Sequence, residues 1–179
     1  MAVEVFVANE QEDEPVELER WSELAGQVLQ AQRVSERSEL SVLFVDEATI
    51  SELNLRFLGR EGPTDVLAFP MEDEPLQAGR FPDSGGSAPG WEPPESPGST
   101  ELLGDVVICP KVARRNAAEH GNGYEDELAL LLVHGILHLL GMDHDDETEA
   151  EAMEAREQEL LAAFYTAAEP GNSSWHLRP

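Results

Sequence analysis

The histidines between residues 134 and 144 are the side chains of this sequence best placed to do chemistry. The segment reads His134-Gly-Ile-Leu-His138-Leu-Leu-Gly141-Met-Asp143-His144 and holds three of the chain's five histidines. Ahead of it, Leu128 to Val133 is apolar and free of Gly and Pro, the pattern of a buried helix. On that helix His134 and His138 stand four residues apart, so both rings share one face. Gly141 follows where a left-handed residue ends a helix, and the chain can then double back and carry His144 to the same point. Three imidazoles leave the fourth position of a tetrahedral ion open. That is the pattern of a catalytic zinc, one per chain, and not of a structural zinc closed by four protein ligands. A single histidine in an apolar helix is most often a core residue; the third histidine and the glycine before it turn the reading toward metal. Cysteine offers no rival site, because the single Cys109 lies in an apolar, strand-like run and reads as a small buried hydrophobe.

A helix and a return turn need a body to hold them. At 179 residues the chain has the length of one domain with a sizeable core. No apolar run is long enough to span a bilayer, so no membrane partner is expected. The start, Met1-Ala-Val-Glu-Val-Phe-Val, alternates like a strand and lacks the basic flank of a signal peptide. One cysteine allows no internal disulfide and no disulfide partner is expected, which fits a cytoplasmic location. The net charge is −26, from 37 acidic and 11 basic residues. Such a field repels nucleic acid at long range, so binding RNA requires a local basic patch or a metal. The acids of Glu10 to Glu19 and Asp145 to Glu159 read as solvated loop and helix faces.

Taken in order, Val3 to Val7 alternates as a first strand. Val16 to Gln32 carries Leu18, Trp21, Leu24, Ala25, Val28 and Leu29 as one amphipathic stripe. Glu39 to Val45 is a second strand, and Asp46 is positioned to cap a helix over Glu47 to Leu58 with Ile50, Leu53 and Phe57 inward. Gly62-Pro63 turns into a short strand from Thr64 to Phe69, stopped by Pro70. Glu72 to Thr100 is rich in Gly, Pro, Ser and acids and reads as a disordered insert between strands, at about 72–100. Leu102 to Ile108 returns to strand character, and Pro110 opens a helix to about His120. After the metal helix, Asp146 and Glu149 form a capping-box-like pair opening a last helix, with Met153, Leu160, Leu161 and Phe164 inward. The expected fold class is α+β, a small mixed sheet packed with helices in one domain over 1–167. Residues 168–179 form a C-terminal tail.

Three blocks of the sequence resemble the YbeY family of metal-dependent endoribonucleases, the rRNA maturation factors. They are Leu53-Asn54 through Pro63-Thr64-Asp65-Val66-Leu67-Ala68-Phe69-Pro70, then Leu103-Gly104-Asp105-Val106-Val107-Ile108, then the histidine segment. They stand in the family's order and cover most of residues 39 to 145. The resemblance implies a zincin-like fold, one Zn2+ held by His134, His138 and His144, and action on ribosomal RNA, notably at the 3′ end of the small-subunit (16S) rRNA. It also implies the small ribosomal subunit and its proteins as partners.

The residues carry their own account of the reaction. Zinc peptidases place a general-base Glu directly after the first histidine; here that position is Gly135, which weakens a peptidase reading. Zinc brings its bound water to a pKa of about 7, so a zinc-bound water can serve as nucleophile without a neighbouring carboxylate. Phosphodiester cleavage further needs a cation, for which an Arg fork is suited. Many members of the family have an Arg where this chain has Leu58; Arg56 and Arg60 flank the gap, with Arg56 slightly favoured if Leu58 faces the core. Lys111, Arg114 and Arg115 form a second basic cluster and are candidates for RNA contact, with ordinary helix-surface charge as the plain alternative. Asp143 is a candidate to orient a ligand histidine by accepting from its ring, or simply a turn residue. Thr64 and Asp65 cap a turn or line the cleft. Beside the endoribonuclease stand two other readings: a non-catalytic ribosome-assembly factor with a structural zinc, suited to the acidic surface, and a zinc metallopeptidase.

Overall fold

The computed structural model describes residues 3–71, 101–142 and 146–165. The expected insert, the tail, Asp143 and His144 lie outside the described residues. The elements follow in the order expected from the sequence: β1 (Glu4–Asn9), α1 (Leu18–Ala31), β2 (Ser38–Phe44), α2 (Glu47–Leu58), β3 (Val66–Pro70), β4 (Glu101–Ile108), α3 (Pro110–His120), α4 (Tyr124–Leu139) and α5 (Glu147–Phe164). The four strands make one mixed sheet in the order β1-β2-β4-β3. β1, β2 and β4 run parallel, and β3 lies antiparallel at the edge beside β4.

The alternation of β2 explains why the sheet is covered on both faces. Leu40, Val42 and Phe44 join Val106 and Ile108 under α1, α4 and α5 in the larger core. Val45 and Val107 turn the other way and meet Ile50 of α2, Val112 of α3 and Cys109. Cys109 is a buried free thiol, and burial pushes its pKa up, as befits a small hydrophobe. Asp46 caps α2 by accepting the Thr49 N–H at 2.8 Å, and Asp146 caps α5 by accepting the Glu149 N–H at 2.8 Å.

Two expectations for this region are corrected. Phe57 does not face inward; it is 57% exposed and its ring meets Phe69 edge-on at 5.2 Å. The inward line of α2 runs instead through Ile50 and Asn54, whose Nδ2 donates to the Gly62 carbonyl at 3.0 Å and pins the following loop. Strand β3 begins at Val66 and not at Thr64, because the Asp65 carboxylate takes the Val66 N–H at 2.8 Å.

The junction of β3 and β4 bears on the site. Gly104 has φ 136°, and a Cβ there would stand 2.2 Å from the Phe69 carbonyl oxygen and 2.8 Å from Leu139 Cδ1. Only a residue without a side chain lets β3, β4 and the end of α4 approach this closely. The two strands are in register from Val66 opposite Ile108 to Pro70 opposite Gly104, and Met71 N–H still donates to the Leu103 carbonyl at 3.1 Å. Met71 and Leu103, which stand close on either side of residues 72–100, are thus already hydrogen-bonded to one another. Replacing 72–100 with a short Gly-containing turn should leave the melting temperature unchanged or slightly raised. Loop-closure entropy changes by only about 0.6 kcal/mol per doubling of length. Thermal denaturation of the shortened chain checks this, and a large fall would show that the segment packs on the body.

Candidate metal centre

Helix α4 is almost wholly interior. From Glu127 to Leu139 the residues that escape full burial are Leu130, His134 and His138, a single line at four-residue spacing. The apolar residues around this line hold the helix in the core, and the line itself is what the helix offers to solvent. The His134 and His138 rings stand one turn apart, with centroids 4.7 Å apart and planes at 75°. The end of the helix has the form that the glycine in the sequence suggests. Gly141 has φ 96°, its N–H donates to the His138 carbonyl at 3.0 Å, and the Met142 N–H reaches back to Leu137 at 3.0 Å. This is a Schellman ending, which reverses the chain within two residues.

A cleft of about 420 Å³ opens beside this line. His134, Gly135 and His138 form one wall, strand β3 with Asp65 the other, and Leu58 and Arg60 the rim. His138 also lines a second cavity, with Met71, Leu103 and Met142. The Asp65 carboxylate is held on both oxygens, by the Val66 N–H at 2.8 Å and by Asn116 Nδ2 at 3.2 Å. Among the described residues no cluster of three metal-ligating side chains occurs. His134 and His138 are the described part of the proposed set, and their imidazoles suit a borderline ion such as zinc.

The arginines arrange themselves differently from expectation. Leu58 does not face the core; it is 53% exposed at the rim of the cleft. Gly59, in a left-handed conformation, ends α2, and the Arg60 N–H folds back to the Asn54 carbonyl at 3.3 Å. That turn brings Arg60 to the cleft wall, whereas Arg56 remains on the helix with its guanidinium 5.5 Å from the Phe57 ring. In the second basic cluster, Arg114 pairs with Glu14 at 2.5 Å and lies over the Tyr124 ring at 4.2 Å, and Arg115 pairs with Glu47. Lys111 is exposed in the first turn of α3.

One residue of the site region escapes the sequence reading altogether. Glu157 of α5 sits among acids read as a solvated face, yet it is 6% exposed and its Oε1 meets His134 Nδ1 directly. A signal was present. Glu157 is four residues from both Met153 and Leu161, so it interrupts the apolar stripe of its helix.

The family model of endoribonuclease YbeY matches residues 6–165. The chain belongs to the endoribonuclease YbeY family. Membership makes it an enzyme of the endoribonuclease class. The endoribonuclease YbeY of Frankia alni is 44% identical over 91% of this chain and 83% of its own length. That of Thermobifida fusca is also 44% identical, over 89% of this chain and 93% of the relative. The solution structure of TM1509 from Thermotoga maritima shares the fold, with a TM-score of 0.53 over 94% of this chain and 99% of that one at 24% identity. The α+β arrangement expected from the sequence is thus that of a solved protein. No helix among the described residues is long and apolar enough to cross a membrane.

Within this YbeY family member the geometry also explains why the peptidase base is missing. A Cβ at Gly135 would lie 2.7 Å from Val106 Cγ1 and 3.2 Å from Val66 Cγ2, so position 135 is the seat of α4 on the sheet. A glutamate there would run into strands β3 and β4. Gly135→Ala is expected to lower stability by about 1–2 kcal/mol, because overpacking against two β-branched side chains outweighs the gain in helix propensity. A thermal or urea melt checks the sign; an increase in stability would mean that the helix lifts from the sheet without cost.

Proposed function

We propose that this chain is a zinc-dependent endoribonuclease directed at single-stranded RNA, acting in the cytoplasm in ribosomal RNA maturation at the 3′ end of the small-subunit rRNA. In this reading His134, His138 and His144 hold one zinc per chain. The observation that carries it is the single cleft lined by His134, His138 and Arg60 together. Zinc, when bound, supplies a Lewis acid that activates water at neutral pH and offsets charge on the scissile phosphate. Arg60, exposed at the rim, binds a phosphate oxygen pair and orients the backbone for attack. Exposed Leu58 and Phe57 offer apolar surface to an unpaired base beside it. Arg114 and Arg115 already answer carboxylates of their own chain, so phosphate contact falls to Arg60, with Arg56 and Lys111 as outlying charges. Ribosomal RNA, the small ribosomal subunit and its proteins are the partners this function requires.

The assembly-factor reading draws on one observation, the net charge of −26, which suits a basic protein partner better than a phosphate backbone. A single set of measurements separates the two. Purified chain incubated with unstructured RNA should cleave it, and a chelator or His138→Ala should stop cleavage. Arg60→Ala should lose roughly 10²-fold in single-turnover rate with zinc content unchanged, while Arg56→Ala stays within a few-fold. Zinc bound without chelator-sensitive cleavage would favour assembly alone. Full metal content in His134→Ala, His138→Ala and His144→Ala alike would remove the site.

A further inference from the structure

We propose that Glu157 is a positioning residue for His134, holding the imidazole in the tautomer and orientation that leave Nε2 for the metal; this rests on the metal reading above. The carboxylate comes from α5, distant in sequence from the histidine segment, and meets His134 Nδ1. An ionised carboxylate can only accept, so the contact is a hydrogen bond in the tautomer whose Nδ1 carries the proton, and Glu157 favours that tautomer. The opposite nitrogen then keeps its lone pair, and His134 lines the cleft. Histidine ligands of metals ordinarily donate their second nitrogen to such a carboxylate, which fixes the ring and raises its basicity.

The placement of Glu157 is over-determined by its helix. Met153, Leu160 and Leu161 anchor α5 in the main core. Arg156, next to Glu157, ties the helix to the end of α1 through Gln32 Oε1 at 2.6 Å and the Ala31 carbonyl at 3.4 Å. Between these anchors Glu157 is buried, whereas Glu159 is exposed and pairs with Arg156. A buried carboxylate costs stability unless it is paired, and an apolar residue at 157 would fit the stripe better. The cost is explained if the carboxylate orients a ligand.

The test compares the full-length chain with Glu157→Gln and, as a control for lost charge, Glu159→Gln. Zinc affinity is read by competition with a chelating dye, folding by the melting temperature of the metal-free protein, and the His134 tautomer by 15N chemical shifts. Glu157→Gln is expected to weaken zinc about 10- to 100-fold and to mix the His134 tautomers, with a metal-free melting temperature close to wild type. Glu159→Gln should change none of these. Retention of wild-type affinity within two- to three-fold in Glu157→Gln, or an equal loss in Glu159→Gln, overturns the positioning role while leaving the metal site standing. A fall in melting temperature with affinity unchanged makes Glu157 a structural residue and also overturns it. A wild-type chain that takes up no zinc overturns the metal reading itself, and the positioning role with it.

Discussion

The close seating of α4 on strands β3 and β4 is the constraint on which the rest of the molecule depends. Val106 and Val66 occupy the space that any side chain at residue 135 would need. The helix therefore lies deep enough for Leu128, Leu131, Leu132, Ile136 and Leu137 to be fully enclosed. Each such side chain contributes about 1.5–3 kcal/mol when taken from water. A helix so enclosed has one narrow line left over, and the two histidines stand on it. The proposed metal site thus draws on the strip that the core does not consume.

The same seating decides what kind of hydrolase the fold can support. A peptidase of comparable motif needs a carboxylate one residue after its first histidine, and here that direction points into the sheet. The strands and helix lie too close for a base in that direction, while the four-residue spacing of the histidines is kept. Arg60 enters the cleft from outside the sheet, by way of the turn that closes α2.

Much of this was legible in the sequence, and for identifiable reasons. The order of elements follows from periodicity and from punctuation by Gly and Pro, and the Gly141 ending follows from a residue type with one conformational use. What stayed hidden involves side chains far apart along the chain. Glu157 reads as a solvated acid because the fifteen residues from Asp145 to Glu159 are rich in charge, and this composition masks its place on the stripe. Arg114 and Arg115 read as an RNA-facing cluster because their partners, Glu14 and Glu47, belong to distant segments. The condition that favours Arg56, a core-facing Leu58, rests on apolar character alone, although apolar residues are common on protein surfaces.

The sheet leaves two open flanks, and the acidic excess bears on both. Among the described residues, β3 has β4 on one side only, and β1 has β2 on one side only. An unpaired strand edge presents backbone donors and acceptors that a second copy of the chain can add to, and exposed Phe6 on β1 makes such an encounter more adhesive. Two molecules that each carry −26 repel one another before their edges meet. The charge that makes this chain an awkward ligand for a polyanion therefore acts as a colloidal safeguard, keeping a ribbon with bare margins from stacking on itself. High ionic strength, which shortens the reach of that repulsion to a few ångströms, removes the safeguard and leaves the strand margins to interact on their own terms.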